Sequence, residues 1–179
     1  MRVISGKYKG KNLIGFNIDG TRPTMDRVKE SLFGIIQNYI KDSIVLDLFA
    51  GSGSLGIEAL SNGANECYFF DNNIELINII KKNVSNMSEK IHIMKSDYKN
   101  ALEILKNSNI KFDIIFLDPP YKFNLINDCL NKIYEYNLLN KDGIIVCEYE
   151  SEDINTDNFE LIKEKNYGSK NIQIYKCKI

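Results

Sequence analysis

The stretch FLDPPYKF, residues 116 to 123, holds two of the chain's three prolines side by side, directly behind an acidic residue that ends an apolar run. Proline donates nothing to a sheet ladder and restricts the residue before it, so a strand over FDIIFL should stop abruptly at Asp118. Asp118, Pro119, Pro120 and Tyr121 then form a carboxylate, a fixed turn and an aromatic ring at one strand end. Such a set suits an exocyclic base amine. Its nitrogen is a poor nucleophile because the lone pair is delocalised into the ring. The Asp118 carboxylate and the Pro119 carbonyl can accept its two N–H bonds and aim the lone pair outward. Tyr121 offers a face for a splayed base, worth roughly 1–3 kcal/mol in stacking.

A second constellation lies about seventy residues upstream. VLDLFAGSGSLGIEAL places Asp47 near a strand end and follows it with Gly51, Gly53 and Gly56, a literal G-x-G-x-x-G opening a helix; Asp71 stands 18 positions after Gly53. Glycines let the backbone approach a ligand, and an acid about 20 residues on accepts ribose hydroxyls. A nucleoside cofactor is implied. A dinucleotide would rest its pyrophosphate on the helix N-terminus. S-adenosylmethionine carries an ammonium and a sulfonium instead, and gives Asp47 a partner. Asp97 closes HIMKSD, where a carboxylate could accept from an adenine amino group.

These acids need a scaffold that presents successive strand ends together. From Ser43 the chain alternates strands (SIVLDLF, CYFFD, IHIMKSD, FDIIFLD, GIIVCEY) with helices, one of them expected over Ile74 to Asn86 with Ile74, Ile77 and Ile80 inward. The pattern predicts an α/β fold with a doubly wound Rossmann-like sheet, mostly parallel, and an antiparallel C-terminal hairpin over FELIKEKNYGSKNIQIYKCKI. Ligands bind such sheets outside the carboxyl ends of the strands. Ahead of the core, Arg2 to Phe16 reads as a small β-hairpin arm. Val28, Leu32, Ile35, Ile36, Tyr39 and Ile40 share one helical face, predicting a helix over 24–40 with Thr24 as N-cap and Asp26 in its first turn. A single domain over 1–179 is expected, with a basic arm (1–20), this helix (24–40) and a core (43–179).

Composition narrows the chemistry. Of 179 residues 44% are apolar and 26% charged, as in ordinary globular proteins. No apolar run approaches the roughly 20 residues that span a bilayer, so no membrane partner and a cytoplasmic location are expected. Cys67, Cys129, Cys147 and Cys177 form no C-x-x-C, and His92 is the single histidine. Neither a metal site nor a disulfide framework is implied, and buried thiols are expected. The net charge of −1 conceals a balance of +5 over residues 1–41 against −6 elsewhere. Arg2, Lys7, Lys9, Lys11, Arg22 and Arg27 are candidate polyanion contacts.

LDLFAGSGSLGIEALSNGA together with FLDPPY resembles the class I S-adenosylmethionine-dependent methyltransferases that act on amino nitrogens. MRVISGKYKGKNL, TRPTMDRVKESLF and YGSKNIQIYK narrow the resemblance, over nearly the whole chain, to the bacterial small-subunit rRNA guanine-N2 methyltransferase family. The resemblance implies a single-domain enzyme that methylates the 2-amino group of one 16S rRNA guanine during ribosome assembly, with S-adenosyl-L-methionine as cofactor and 16S rRNA or a small-subunit assembly intermediate as partner; a monomer is expected. By position, Asp47, Gly51, Gly53 and Asp71 would hold the methionine and ribose ends, Asp97 the adenine side, and Asp118 to Tyr121 the amine. Arg22 stays open between cofactor and RNA. The acidic SEDINTDNFE departs from the pattern and is expected to face away from RNA. A DNA adenine-N6 methyltransferase would use the same four residues but needs more surface than a short basic arm. A nicotinamide dehydrogenase leaves Asp47 and DPPY idle, and a non-catalytic RNA-binding assembly factor would not require Asp118.

Overall fold

The computed structural model describes residues 1–15, 22–120 and 123–178, without the side chains of residues 22–24. Phe16 to Thr21, Tyr121 and Lys122 therefore lie outside the described residues. The elements run α1 (Arg22–Ile40), β1 (Ile44–Asp47), α2 (Ser54–Ser61), β2 (Glu66–Asp71), α3 (Ile74–Asn83), β3 (Lys90–Lys95), α4 (Tyr98–Lys106), β4 (Phe112–Leu117), α5 (Ile126–Glu135), β5 (Leu139–Tyr149), β6 (Phe159–Tyr167) and β7 (Lys170–Cys177). They form one seven-stranded sheet of order β3-β2-β1-β4-β5-β7-β6. The first five strands in that order are parallel, and β7 and β6 add an antiparallel edge. The doubly wound α/β reading with a C-terminal hairpin holds.

The continuous apolar runs follow from burial on both faces. In β4, Ile114 and Phe116 join the core beneath α1, α2 and α3, while Phe112, Ile115 and Leu117 face α4 and α5. Strand order reverses between β1 and β4, whose register pairs Asp47 with Phe116. The crevice at that switch point is where a ligand belongs. It puts Asp47 and Asp118 on neighbouring strands. Cys67, Cys129 and Cys147 are buried free thiols, and Cys177 is a half-buried one.

Helix α1 starts at Arg22 rather than Thr24, so Thr24 is not its cap. Pro23 sits in the first turn, where its missing N–H costs nothing. Asp26 consequently falls beyond that turn. Leu32, Ile36 and Ile40 are buried as the periodicity predicts, Val28, Ile35 and Tyr39 are half-buried, and Phe33 and Lys29, which the predicted face left out, are buried as well. Helix α3 ends at Asn83, short of Asn86; Ile77 and Ile80 point inward, whereas Ile74, in the first turn, is 51% exposed.

The N-terminal segment is a hairpin-like turn with an Arg2–Asn12 bridge, docked on the body instead of projecting from it. Val3 and Leu13 are buried, and the Gly6 turn presses on the end of α2. A Cβ at Gly6 would lie 2.0 Å from the Ser61 carbonyl oxygen, at φ +83°. Only glycine fits there. Within the acidic 151–160 segment, Glu152 accepts from the Ile126 and Asn127 amides at 3.1 and 3.0 Å. A carboxylate on the positive end of α5 is stabilising there. Glu152 thus lies at the start of α5, at the same end of the sheet as the crevice.

Candidate active site

A cavity of about 670 Å³ opens at the carboxyl ends of β1, β2, β3 and β4, with Asp47, Gly51, Asp71, Asp97, Asp118 and Pro119 among its lining residues. The four acids read from separate motifs therefore converge on one space. Each is held differently. Asp47 is buried and accepts from the Gly56 amide at 3.1 Å. Burial pushes its carboxyl up to about 7, and that amide opposes the shift. Asp71 accepts from the Gly51 amide and from the Asn73 amide, both at 3.0 Å, tying the end of β2 to the glycine turn. Asp97 caps α4, one oxygen accepting from the Asn100 amide at 2.8 Å and the other from its side-chain amide at 2.9 Å.

The glycines divide their work. At Gly51, φ is +58° and a Cβ would meet no atom within 4 Å, so the turn leaves open space toward the cavity. Gly53 also takes a left-handed conformation, with φ +87°, at the start of α2. Gly56 permits close packing: a Cβ there would lie 2.4 Å from Phe69 Cε1 and 2.8 Å from Cys67 Sγ. This is the third-glycine role of a nucleotide turn, helix against strand.

Asp118 follows the last residue of β4 and lines both the large cavity and a second one of about 100 Å³. The smaller cavity is bordered by Asp26, Lys29, Glu148 and Lys170. Lys170 Nζ lies 3.1 Å from Glu148 Oε1. Burial and the Glu148 carboxylate push the Asp118 carboxyl well above its ordinary range, and Lys170 pulls it part of the way back. Pro119 is buried, Pro120 exposed, and the Pro120 carbonyl accepts from the Phe123 amide at 3.3 Å. Tyr121, the expected stacking ring, lies outside the described residues. Phe123, which motif reading passed over, lines the large cavity with 56% of its surface exposed.

The candidate RNA contacts separate. Arg2 is exposed, with its Nε 3.5 Å from Asp26 Oδ2, beside Met1, which lines both cavities. Arg27 is exposed on α1. Lys7 Nζ pairs with Glu89 at 3.2 Å, and its backbone amide donates to the Ser61 carbonyl. Glu89 precedes β3 and Ser61 ends α2, so Lys7 sits at the amino ends of the strands, opposite the cavity. Lys9 is exposed and Lys11 half-buried on the same hairpin, and the Arg22 side chain is outside the described residues.

Sequence reasoning missed Asp26, Lys29, Glu148 and Lys170, which border the smaller cavity. One signal was visible: Lys29 stands four residues before Phe33 and seven before Ile36, on an otherwise apolar stripe.

A parallel sheet with this order, an antiparallel final hairpin and acids at successive strand ends defines a class I methyltransferase. The chain belongs to the family described as "Conserved hypothetical protein 95", which it matches over residues 1–176, and that family is one of class I methyltransferases. It is 38% identical to the Ribosomal RNA small subunit methyltransferase D of Haemophilus influenzae, over 98% of this chain and 93% of the relative. It is 31% identical to the Escherichia coli protein of the same name, over 98% and 89%. The solved structure of yhhF from Escherichia coli superposes with a TM-score of 0.85 at 30% identity, covering 99% of this chain and 98% of that one.

Proposed function

We propose that this protein transfers a methyl group from S-adenosylmethionine to the exocyclic N2 amine of a guanine in small-subunit rRNA, in the cytoplasm during subunit assembly. The observation that carries the reading is the position of Asp118. It stands at the switch point between a cavity of nucleoside-cofactor size and a small charged cavity, with the buried Pro119 beside it. The donor set fits the cofactor. The open face at Gly51 admits the methionine end, the buried Asp47 suits an ammonium, Asp71 a ribose hydroxyl, and the 96–98 turn the adenine edge.

When bound, the cofactor supplies an electrophilic methyl on a sulfonium. The chain's own groups do the rest. Asp118 and the Pro119 carbonyl accept the two amine N–H bonds, which turns the nitrogen lone pair away from them and toward the large cavity. The nitrogen would take the methyl group that the cofactor supplies, with the sulfonium leaving as a neutral thioether, and one amine proton would pass to the Asp118 carboxylate or to water. The raised affinity of Asp118 for a proton suits it to receive one. Positioning and charge placement carry such a transfer. Arg2 and Arg27, both exposed near the cavity end, are the better candidates for RNA phosphate, with Lys9 and Lys11 further along the hairpin.

The test is a transfer assay with methyl-labelled cofactor and, in parallel, small ribosomal subunits, free 16S rRNA and duplex DNA, each digested to nucleosides. Label in N2-methylguanosine is the expected result. Label in N6-methyladenine would keep the roles of Asp118 and Pro119 but change the substrate, and label in no nucleoside would overturn the reading.

A further inference from the structure

The small cavity beside Asp118 holds a group that the transfer step does not use. Asp26, on α1, lines that cavity together with Asp118. Its Oδ2 is engaged by Arg2 at 3.5 Å. Its Oδ1 is buried and has no hydrogen-bond partner, the one buried side-chain oxygen or nitrogen among the described residues left in that state. An enclosed carboxylate oxygen without a donor is costly, so it points to a missing donor. The neighbouring cation does not supply it: Lys29 Nζ is committed to the Arg2 carbonyl at 2.7 Å, Ser54 Oγ at 3.0 Å and Glu58 Oε1 at 3.1 Å.

The chemistry of the substrate edge does supply one. Beside its amine, guanine carries an N1–H donor, whereas adenine and 2-aminopurine carry an unprotonated N1 acceptor. If Asp118 and Pro119 take the N2 hydrogens, a second acidic acceptor on the same cavity would meet the adjacent N1–H. We propose that Asp26 is a specificity-determining residue that accepts the N1–H of the target guanine, so that the site rejects amino-purines lacking that hydrogen. The inference rests on the guanine-N2 reading and adds to it the group that tells guanine from its analogues. A site built to bond a donor rejects strongly an analogue without it, because its own acceptor is then left buried and unpaired.

The experiment uses small subunits reconstituted with 16S rRNA that carries guanosine or 2-aminopurine, introduced by ligation, at the nucleotide the wild-type protein labels. Both bases offer the N2 amine. Wild type should favour guanine. Asp26→Asn, whose amide can donate to an unprotonated N1, should lose about 10- to 100-fold on guanine and narrow or reverse the preference, with cofactor affinity unchanged. Arg2→Ala, which removes the ion pair but not the acceptor, should lower overall transfer and leave the preference at its wild-type ratio. If Asp26→Asn lowers both substrates by one factor, or neither, the assignment is overturned and Asp26 is structural. If wild type labels no guanine in native subunits, the underlying reading fails, and that failure is visible before any variant is made.

Discussion

Lys29 Nζ lies 3.1 Å from Glu58 Oε1, and the two side chains are 6% and 0% exposed. This ion pair joins α1 to α2 and, through Glu58, to the N-terminal hairpin, whose Ile4 and Ser5 amides donate to the same carboxylate at 2.9 and 3.1 Å. Burial lowers the affinity of Lys29 for its proton, and Glu58 partly restores it. The pair thus sits where either charge alone would be expensive. Since Lys29 also donates to Ser54, which lines both cavities, the clasp sets how α1 and Met1 stand over the site.

Breaking one side of the clasp should therefore cost more than removing its charge altogether. Lys29→Met leaves Glu58 buried without a counter-charge, and a loss of about 3–5 kcal/mol is expected. The double variant Lys29→Met, Glu58→Gln removes the unpaired charge and keeps one of the two acceptors that Ile4 and Ser5 use, so it should recover part of that loss. Urea unfolding of the two single variants and the double gives the coupling. Additive losses would show that the pair contributes nothing jointly.

If Asp118 accepts from the target amine as proposed, Asp118→Ala should abolish methyl transfer while cofactor affinity stays within a few-fold. The raised proton affinity of Asp118 also sets the pH dependence. The carboxylate that accepts N–H bonds forms only as pH rises through that elevated value, so transfer should climb with pH above the ordinary carboxyl range. A flat profile from pH 5 to 8, or equal loss of binding and transfer, would remove the acceptor role.

What was legible in the sequence follows from what is local. Continuous apolar runs marked the buried strands, and an acid that ends such a run in a parallel sheet must lie at the carboxyl edge. So Asp47, Asp71, Asp97 and Asp118 could be read off as neighbours before any coordinates. Glu148 and Lys170 could not, because their meeting depends on the antiparallel register of β5 with β7. Lys7 looked like a free cation for the same reason: its partner Glu89 is 82 positions away. Ile74 was misplaced by extending a periodicity one turn too far, to the start of α3, where the helix face has already left the core.

The charge map makes a prediction about RNA that differs among the cations. A side chain that neutralises one phosphate contributes a slope of roughly −0.7 to −0.9 to the dependence of log affinity on log salt. Arg27→Ala, near the cavity end and exposed, should flatten the slope by about one such step. Lys7→Ala should leave it unchanged, since Lys7 is held by Glu89 at the far end of the sheet. Replacing Lys7, Lys9 and Lys11 together should weaken binding through the latter two alone. Filter binding of small-subunit rRNA across a salt series decides, and an equal effect of Arg27→Ala and Lys7→Ala would mean that RNA wraps both ends of the molecule.

Asp47 should make the cofactor-free protein less stable as pH rises. Its carboxyl titrates at about 7 in the folded chain instead of near 3.8, so between those values the folded state holds a proton that the unfolded chain has released. The penalty is absent below about pH 4 and complete above about pH 7, where it is on the order of 4 kcal/mol. Asp47→Asn removes that penalty. Its stability advantage over wild type should widen by about 2 to 3 kcal/mol between pH 5 and pH 8, measured by urea unfolding without cofactor. If Asp47 faces the cofactor ammonium as proposed, the same variant should bind S-adenosylmethionine more weakly. Saturating cofactor should erase the wild-type pH slope by stabilising the ionised carboxylate. An Asp47→Asn protein that gains no stability at pH 8 yet still loses cofactor affinity would mean that the carboxylate is solvated in the free protein, with the ammonium contact intact.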